Sequence, residues 1–170
     1  MTRIEIVAHE PPRMTGPSRL ALDALLIARG ELGRGESGEN NAGEDVFRYR
    51  RMSGVDRPWN GDGPWCAAFV SYCFNRAGEG VLPFKPSWGA KQLWKRIGKA
   101  GAFVETPQPG DVVCWDRGVA GSWAGHVGIV SSTESGAFHS IEGNRGRCPS
   151  KVRDYLHELG ENRLLKFARI

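Results

Sequence analysis

The sequence lacks any run of apolar residues near the roughly 20 needed to cross a bilayer as a helix. Ile4-Glu5-Ile6-Val7-Ala8 is too short and too interrupted for an export signal. Cysteine is scarce, with 4 in 170 residues, and no two are spaced C-x-x-C. Cys66 and Cys73 on one helix would stand about 10 Å apart, beyond disulfide reach. The cysteines therefore read as free thiols. Nothing in the spacing of Cys66, Cys114, His126 and Cys148 recommends a zinc site, and no metal or other cofactor is expected. Residues 85–99 lack acid altogether: they hold five basic side chains inside a chain of net charge +4. Most of those five fall on the polar side of a helix whose other face is apolar. A solvated face explains them at least as well as nucleic acid does, and attraction to a polyanionic cell envelope fits equally. No nucleic-acid partner and no stable membrane insertion are expected, and the protein is read as a monomer.

What is present is ordinary globular material, 40% hydrophobic and 25% charged, enough for one domain with a core. Residues 1–17, with Pro11, Pro12 and Pro17, read as a flexible arm, and residues 18–170 as a single domain. Ser18 is placed to cap a helix over residues 19–32, with Leu22, Leu25 and Leu26 on its apolar stripe and Gly33 ending it. Residues 35–43 are too rich in glycine and asparagine for anything but a loop, and a short helical or irregular piece follows around Val46, Phe47 and Tyr49. A second loop over residues 53–64 carries Pro58, Gly61, Gly63 and Pro64. It delivers the chain to a helix on which Cys66, Phe69, Val70, Cys73, Phe74 and Ala77 share a face and which Gly78 terminates. Another helix starts at Ser87, with Ala90, Leu93, Trp94 and Ile97 on one side.

From there the period changes to that of strands. Pro107-Gln108-Pro109-Gly110 is turn chemistry, feeding a strand over residues 111–116. Further strands are predicted over residues 126–132, 137–142, 151–156 and 164–169, in the manner of an antiparallel meander. Helices first and strands after predict an α+β fold, helices packed on one face of a small curved sheet.

Cys66 falls in the first turn of its helix, where unpaired N–H groups and the helix dipole favour a thiolate and can also hold an oxyanion. The competing reading is one more small apolar core residue, and this is the reading adopted for Cys73. Strand alternation sets His126 beside Gly128 and Val130 on one face. On the next strand Phe138, Ser140 and Glu142 share a face. A histidine at a strand entrance and a carboxylate at a strand exit can meet across an antiparallel pair.

Taken in order, Pro64-Trp65-Cys66-Ala67-Ala68-Phe69-Val70, Pro109-Gly110-Asp111-Val112-Val113, Gly125-His126-Val127-Gly128-Ile129-Val130 and Glu142-Gly143-Asn144 resemble a CHAP domain. This is the cysteine- and histidine-dependent amidohydrolase/peptidase family related to NlpC/P60. Cys66 precedes His126 by 60 residues, and Glu142 and Asn144 follow 16 and 18 after it, a spacing such domains use. The similarity extends over residues 18–170. Asn144-Arg145-Gly146 departs from the more usual ending, and no calcium-binding aspartate cluster precedes the cysteine.

The resemblance implies a papain-like fold and cleavage of an amide bond in peptidoglycan, as endopeptidase or N-acetylmuramoyl-L-alanine amidase, through a thioester on Cys66. His126 would be the base, with Glu142 or Asn144 orienting it. Trp65, Glu36, Asn41 and Trp123 are expected to contact substrate, the loop over residues 35–43 forming one groove wall. The acids Glu36, Glu39, Glu44 and Asp45 are the alternative use of that loop, as calcium ligands. A transacylase on the same scaffold and a silent wall-binding module are the competing functions. With no signal recognised, the expected setting is the periplasm or cell wall, reached as a phage endolysin through a partner or as an injected effector.

Overall fold

The computed structural model describes residues 16–56 and 63–170. The proposed arm lies outside these residues up to position 15, as do Pro58 and Gly61 of the second loop. Among the described residues four helices come first: α1 (Arg19–Gly30), α2 (Glu44–Arg51), α3 (Cys66–Ala77) and α4 (Ala90–Ala100). The strands β1 (Ala102–Val104), β2 (Val112–Asp116), β3 (Gly125–Glu134), β4 (Ala137–Glu142), β5 (Arg153–Glu158) and β6 (Phe167–Arg169) follow. They form one antiparallel sheet ordered β1-β6-β2-β3-β4-β5. The fold is α+β, with the helices on one face of that sheet.

Ser18 caps α1 as expected, its hydroxyl accepting from the Ala21 N–H at 3.2 Å. The stripe differs from the leucine pattern. Ala21, Ala24, Leu25 and Ala28 are buried, while Leu22 is partly exposed and Leu26 is 60% exposed. Alanines let α1 lie close against α3, and a larger side chain there would hold the two apart. The helix also ends before Leu32, because Glu31 turns inward. Its carboxylate accepts from Arg48 at 2.6 and 3.0 Å, Tyr49 at 2.9 Å and Tyr72 at 3.1 Å, joining α1, α2 and α3.

The helix α3 begins and ends where its sequence indicates, but it is buried on every side from Cys66 to Phe74 rather than along one stripe. It is the central rod of the helical layer, with Tyr49 of α2 packed against Phe69 and Tyr72. Helix α4 starts later than Ser87, whose hydroxyl accepts from the Gly89 N–H and closes a turn instead.

The sheet is not a simple meander. Strands β2 to β5 follow one another, but β6 returns across the sheet to lie between β1 and β2. The Pro-Gly-Asp segment makes this possible. Gly110 has φ 96°, and a Cβ there would meet the backbone of Ala21 at 3.1 Å. Asp111 then accepts a buried bidentate pair from Arg169 of β6, at 2.8 and 2.7 Å. Strand β1, only three residues long, has no counterpart in the sequence expectations. Val112, Val127, Ile129, Ile141 and Ala168 join the helical core, while Val113, Trp115, Val130, Phe138 and Phe167 form a smaller cluster.

Candidate active site

Cys66 is the first residue of α3, and the first helical hydrogen bond runs from the Phe69 N–H to Trp65 O at 2.9 Å. The amides of Cys66, Ala67 and Ala68 are thus left without helical acceptors. Burial alone pushes the Cys66 thiol up. Interaction with His126, the charge of Arg117 and the Ala67 amide outweigh it, and the thiol comes out below its ordinary value. For Cys73, deeper on the same helix, burial and then the charge of Glu31 outweigh that of Arg48 and drive the thiol well above its ordinary value. Burial likewise pushes Cys114 up to about 12.

His126, 2% exposed, stands at the start of β3 with its ring 5.8 Å from that of Trp115, its cross-strand partner on β2. Its Nε2 lies 2.6 Å from Glu142 Oε2. A carboxylate only accepts, so Nε2 carries the proton and Nδ1 is the nitrogen left to act as base. Nδ1 is buried and has no hydrogen-bond partner among the described residues. Burial disfavours the charged ring, but the interactions with Cys66 and Glu142 prevail and raise its pKa above the ordinary value.

Glu142 ends β4 fully buried. Gly128 makes room for the carboxylate's stem: a Cβ there would sit 2.6 Å from Glu142 Cγ. Glu142 Oε1 accepts from Ser140 Oγ at 2.7 Å and from Arg145 at 3.0 Å, and lies 2.7 Å from His157 Nε2. Burial would raise the carboxyl, but His126, His157 and Arg145 hold it far below the usual carboxylate range. Asn144 is half-buried at φ 61° and makes no hydrogen bond to His126 among the described residues.

The structure therefore gathers Cys66, His126 and Glu142 and leaves Asn144 beside them. It does not offer Trp65 or Glu36 to a ligand. Both are fully buried, and the Trp65 indole N–H donates to Glu36 Oε1 at 3.0 Å. Glu36 also accepts from the amides of Asn41 at 3.0 Å and Ser150 at 2.6 Å, pinning its loop to residues 148–151. These two side chains are scaffold, and Trp65 packs so close to Gly143 that any Cβ there would clash at 2.3 Å. Asn41 keeps partial exposure, and Trp123 is 80% exposed. Of the four acids in the calcium alternative, Glu36 and Asp45 are already engaged, Asp45 accepting from the Gly35 amide and from Arg48. Among the described residues no group of three or more His, Cys, Asp or Glu is placed to hold a metal.

The sequence assigns no role to Arg117, Ser140, Arg145, His157 or Glu161. The signal for His157 lay one residue beyond the predicted end of its strand, since β5 runs to Glu158 and pairs His157 with Phe138. A cavity of about 220 Å³ opens beside His126, its wall including Arg117, Arg145 and Arg163.

Against known families, the chain matches the model described as the CHAP domain over residues 58–144, just over half its length. No curated protein and no solved structure matches.

Proposed function

Because the chain belongs to the CHAP-domain family, we propose that it is a peptidoglycan hydrolase cutting an amide bond of the cell wall through a Cys66 thioester. The observation that carries this reading is the pairing of a helix-start thiol with a histidine whose Nε2 is held 2.6 Å from a buried carboxylate.

In this mechanism Nδ1 of His126 takes the proton of Cys66, and the thiolate attacks the amide carbonyl. The free amides at the start of α3 stabilise the oxyanion. His126 then returns its proton to the leaving amine, and a water activated by the same nitrogen cleaves the thioester, releasing the carboxylate and the thiol. Glu142 keeps Nδ1 free by holding the proton on Nε2, and it stabilises the imidazolium as it forms. The guanidinium groups around the cavity suit the carboxylates of a wall peptide. The site of action proposed is the periplasm or cell wall, with bacterial peptidoglycan as the partner. Among the described residues no helix is long and apolar enough to cross a membrane.

The test is incubation of the purified protein with peptidoglycan, with mass spectrometry of the soluble fragments. Fragments ending at a hydrolysed amide, absent with Cys66→Ser, are the expected result and name the bond. Equal release by both proteins, or by neither, rejects the proposal.

A further inference from the structure

Behind Glu142 stands a second histidine and carboxylate pair, and both its members lie beyond residue 144, where the family match ends. His157 Nε2 is 2.7 Å from Glu142 Oε1, and its Nδ1 is 2.6 Å from Glu161 Oε2. The ring cannot swing away. It lies between Trp115 and Phe138, with centroids 4.6 and 5.2 Å distant, and its side chain is buried. The Trp115 indole N–H donates to the same Glu161 oxygen at 3.1 Å.

We propose that His157, anchored from behind by Glu161, is a positioning residue of this site, fixing through Glu142 Oε1 the carboxylate that faces His126. The inference rests on the reading of Cys66, His126 and Glu142 given above. Carboxylates only accept, so both ring nitrogens of His157 donate and the ring carries both protons. Arg145, 2.9 Å from Nε2, then has no acceptor there. It donates to the two Glu142 oxygens and stacks over Tyr155 at 4.4 Å. The charged groups facing His157 are thus Glu142, Arg145 and Glu161. A buried carboxylate opposite a neutral imidazole is costly to keep ionised. His157 and Arg145 supply the countercharge before any proton moves, and His157 with Ser140 saturates Oε1 so that only Oε2 is turned to His126.

The test uses the full chain and needs no substrate. Iodoacetamide labelling of Cys66 is followed against pH, reading the Cys66 peptide by mass spectrometry, in wild type and His157→Gln. Glutamine keeps a donor for Glu142 and removes the charge. Loss of one positive charge raises the labelling midpoint, by about half a unit or more. An unmoved midpoint overturns the proposal whatever happens to the rate. Because labelling requires no wall substrate, this result stands apart from failure of the peptidoglycan reading. In turnover, kcat is expected to fall about 10- to 100-fold with KM unchanged. Should His157→Gln not fold, the partly exposed Glu161 serves instead: a fall in kcat at constant KM in Glu161→Gln supports the role, and a wild-type kcat overturns it.

Discussion

Two buried carboxylates, Glu31 between the helices and Glu142 on the sheet, meet the same physical difficulty in two ways. Each loses water and recovers it as hydrogen bonds from several donors, and in each case the partners pull the carboxyl below its ordinary pKa although burial opposes them. The donors to Glu31 are Arg48, Tyr49 and Tyr72, none of which exchanges a proton near neutrality; burial and the carboxylate push both tyrosines up. Two of the partners of Glu142 are histidines. The first cluster locks three helices together, and the second can pass a proton change to its neighbours. Both carboxylates are buried, so under the proposed mechanism what separates a structural one from a working one is the chemistry of its partners.

The largest effect should come from the thiol that the Glu142 cluster serves. Cys66→Ser should lose turnover with its circular dichroism unchanged, while Cys73→Ser keeps turnover, both measured as fragments released from peptidoglycan. Next comes the comparison itself. Glu142→Gln should lower kcat by about 10²- to 10⁴-fold with little change in KM. Glu31→Gln should leave kcat alone and cost about 1–3 kcal/mol in urea unfolding. Activity lost equally in both would erase the distinction.

A smaller effect is expected in acid. Both folded pKa values lie below the ordinary 4.5, so the unfolded chain binds more protons as pH falls. The stabilisation is fully present above about pH 5 and lost progressively below it, as each group is forced toward its lower folded value. Urea midpoints measured from pH 7 downward should show this slope, and Glu31→Gln should flatten part of it. Smallest of all, Asn144→Ala should reduce kcat far less than Glu142→Gln, because no hydrogen bond reaches His126 from it. A reversed order would move the orienting role to Asn144.

Much of this site was readable because it depends on local periodicity. The 3.6-residue period put Cys66 at a helix start, and the two-residue alternation of β3 and β4 put His126 and Glu142 within reach. The burial of Glu36 and Trp65 had no local signal: Glu36 is held by the amides of Asn41 and Ser150, and Trp65 packs on Tyr49 and Gly143, both remote from it in sequence. Leu22 and Leu26 looked like core because hydrophobicity scores a leucine above an alanine, whereas close helix packing prefers the alanine. Glu161 and Arg145 sit in connecting segments outside any helix or strand, where neither period applies, and β1 is too short to show one. The placement of β6 beside β2 is a long-range pairing with no local trace.

That placement also bears on synthesis. Residues 163–169 run along the outer edge of β2, with Asp116 N–H donating to Arg163 O at 2.8 Å and Leu165 N–H to Cys114 O at 2.9 Å. On a ribosome the thiol, both site histidines and Glu142 emerge before this edge can be covered. Until residue 169 clears the exit tunnel, β2 presents unpaired backbone groups and Asp111 lacks its guanidinium partner. The sheet is thus held unfinished until residues 163–169 are made, and it closes only when they pair with β2.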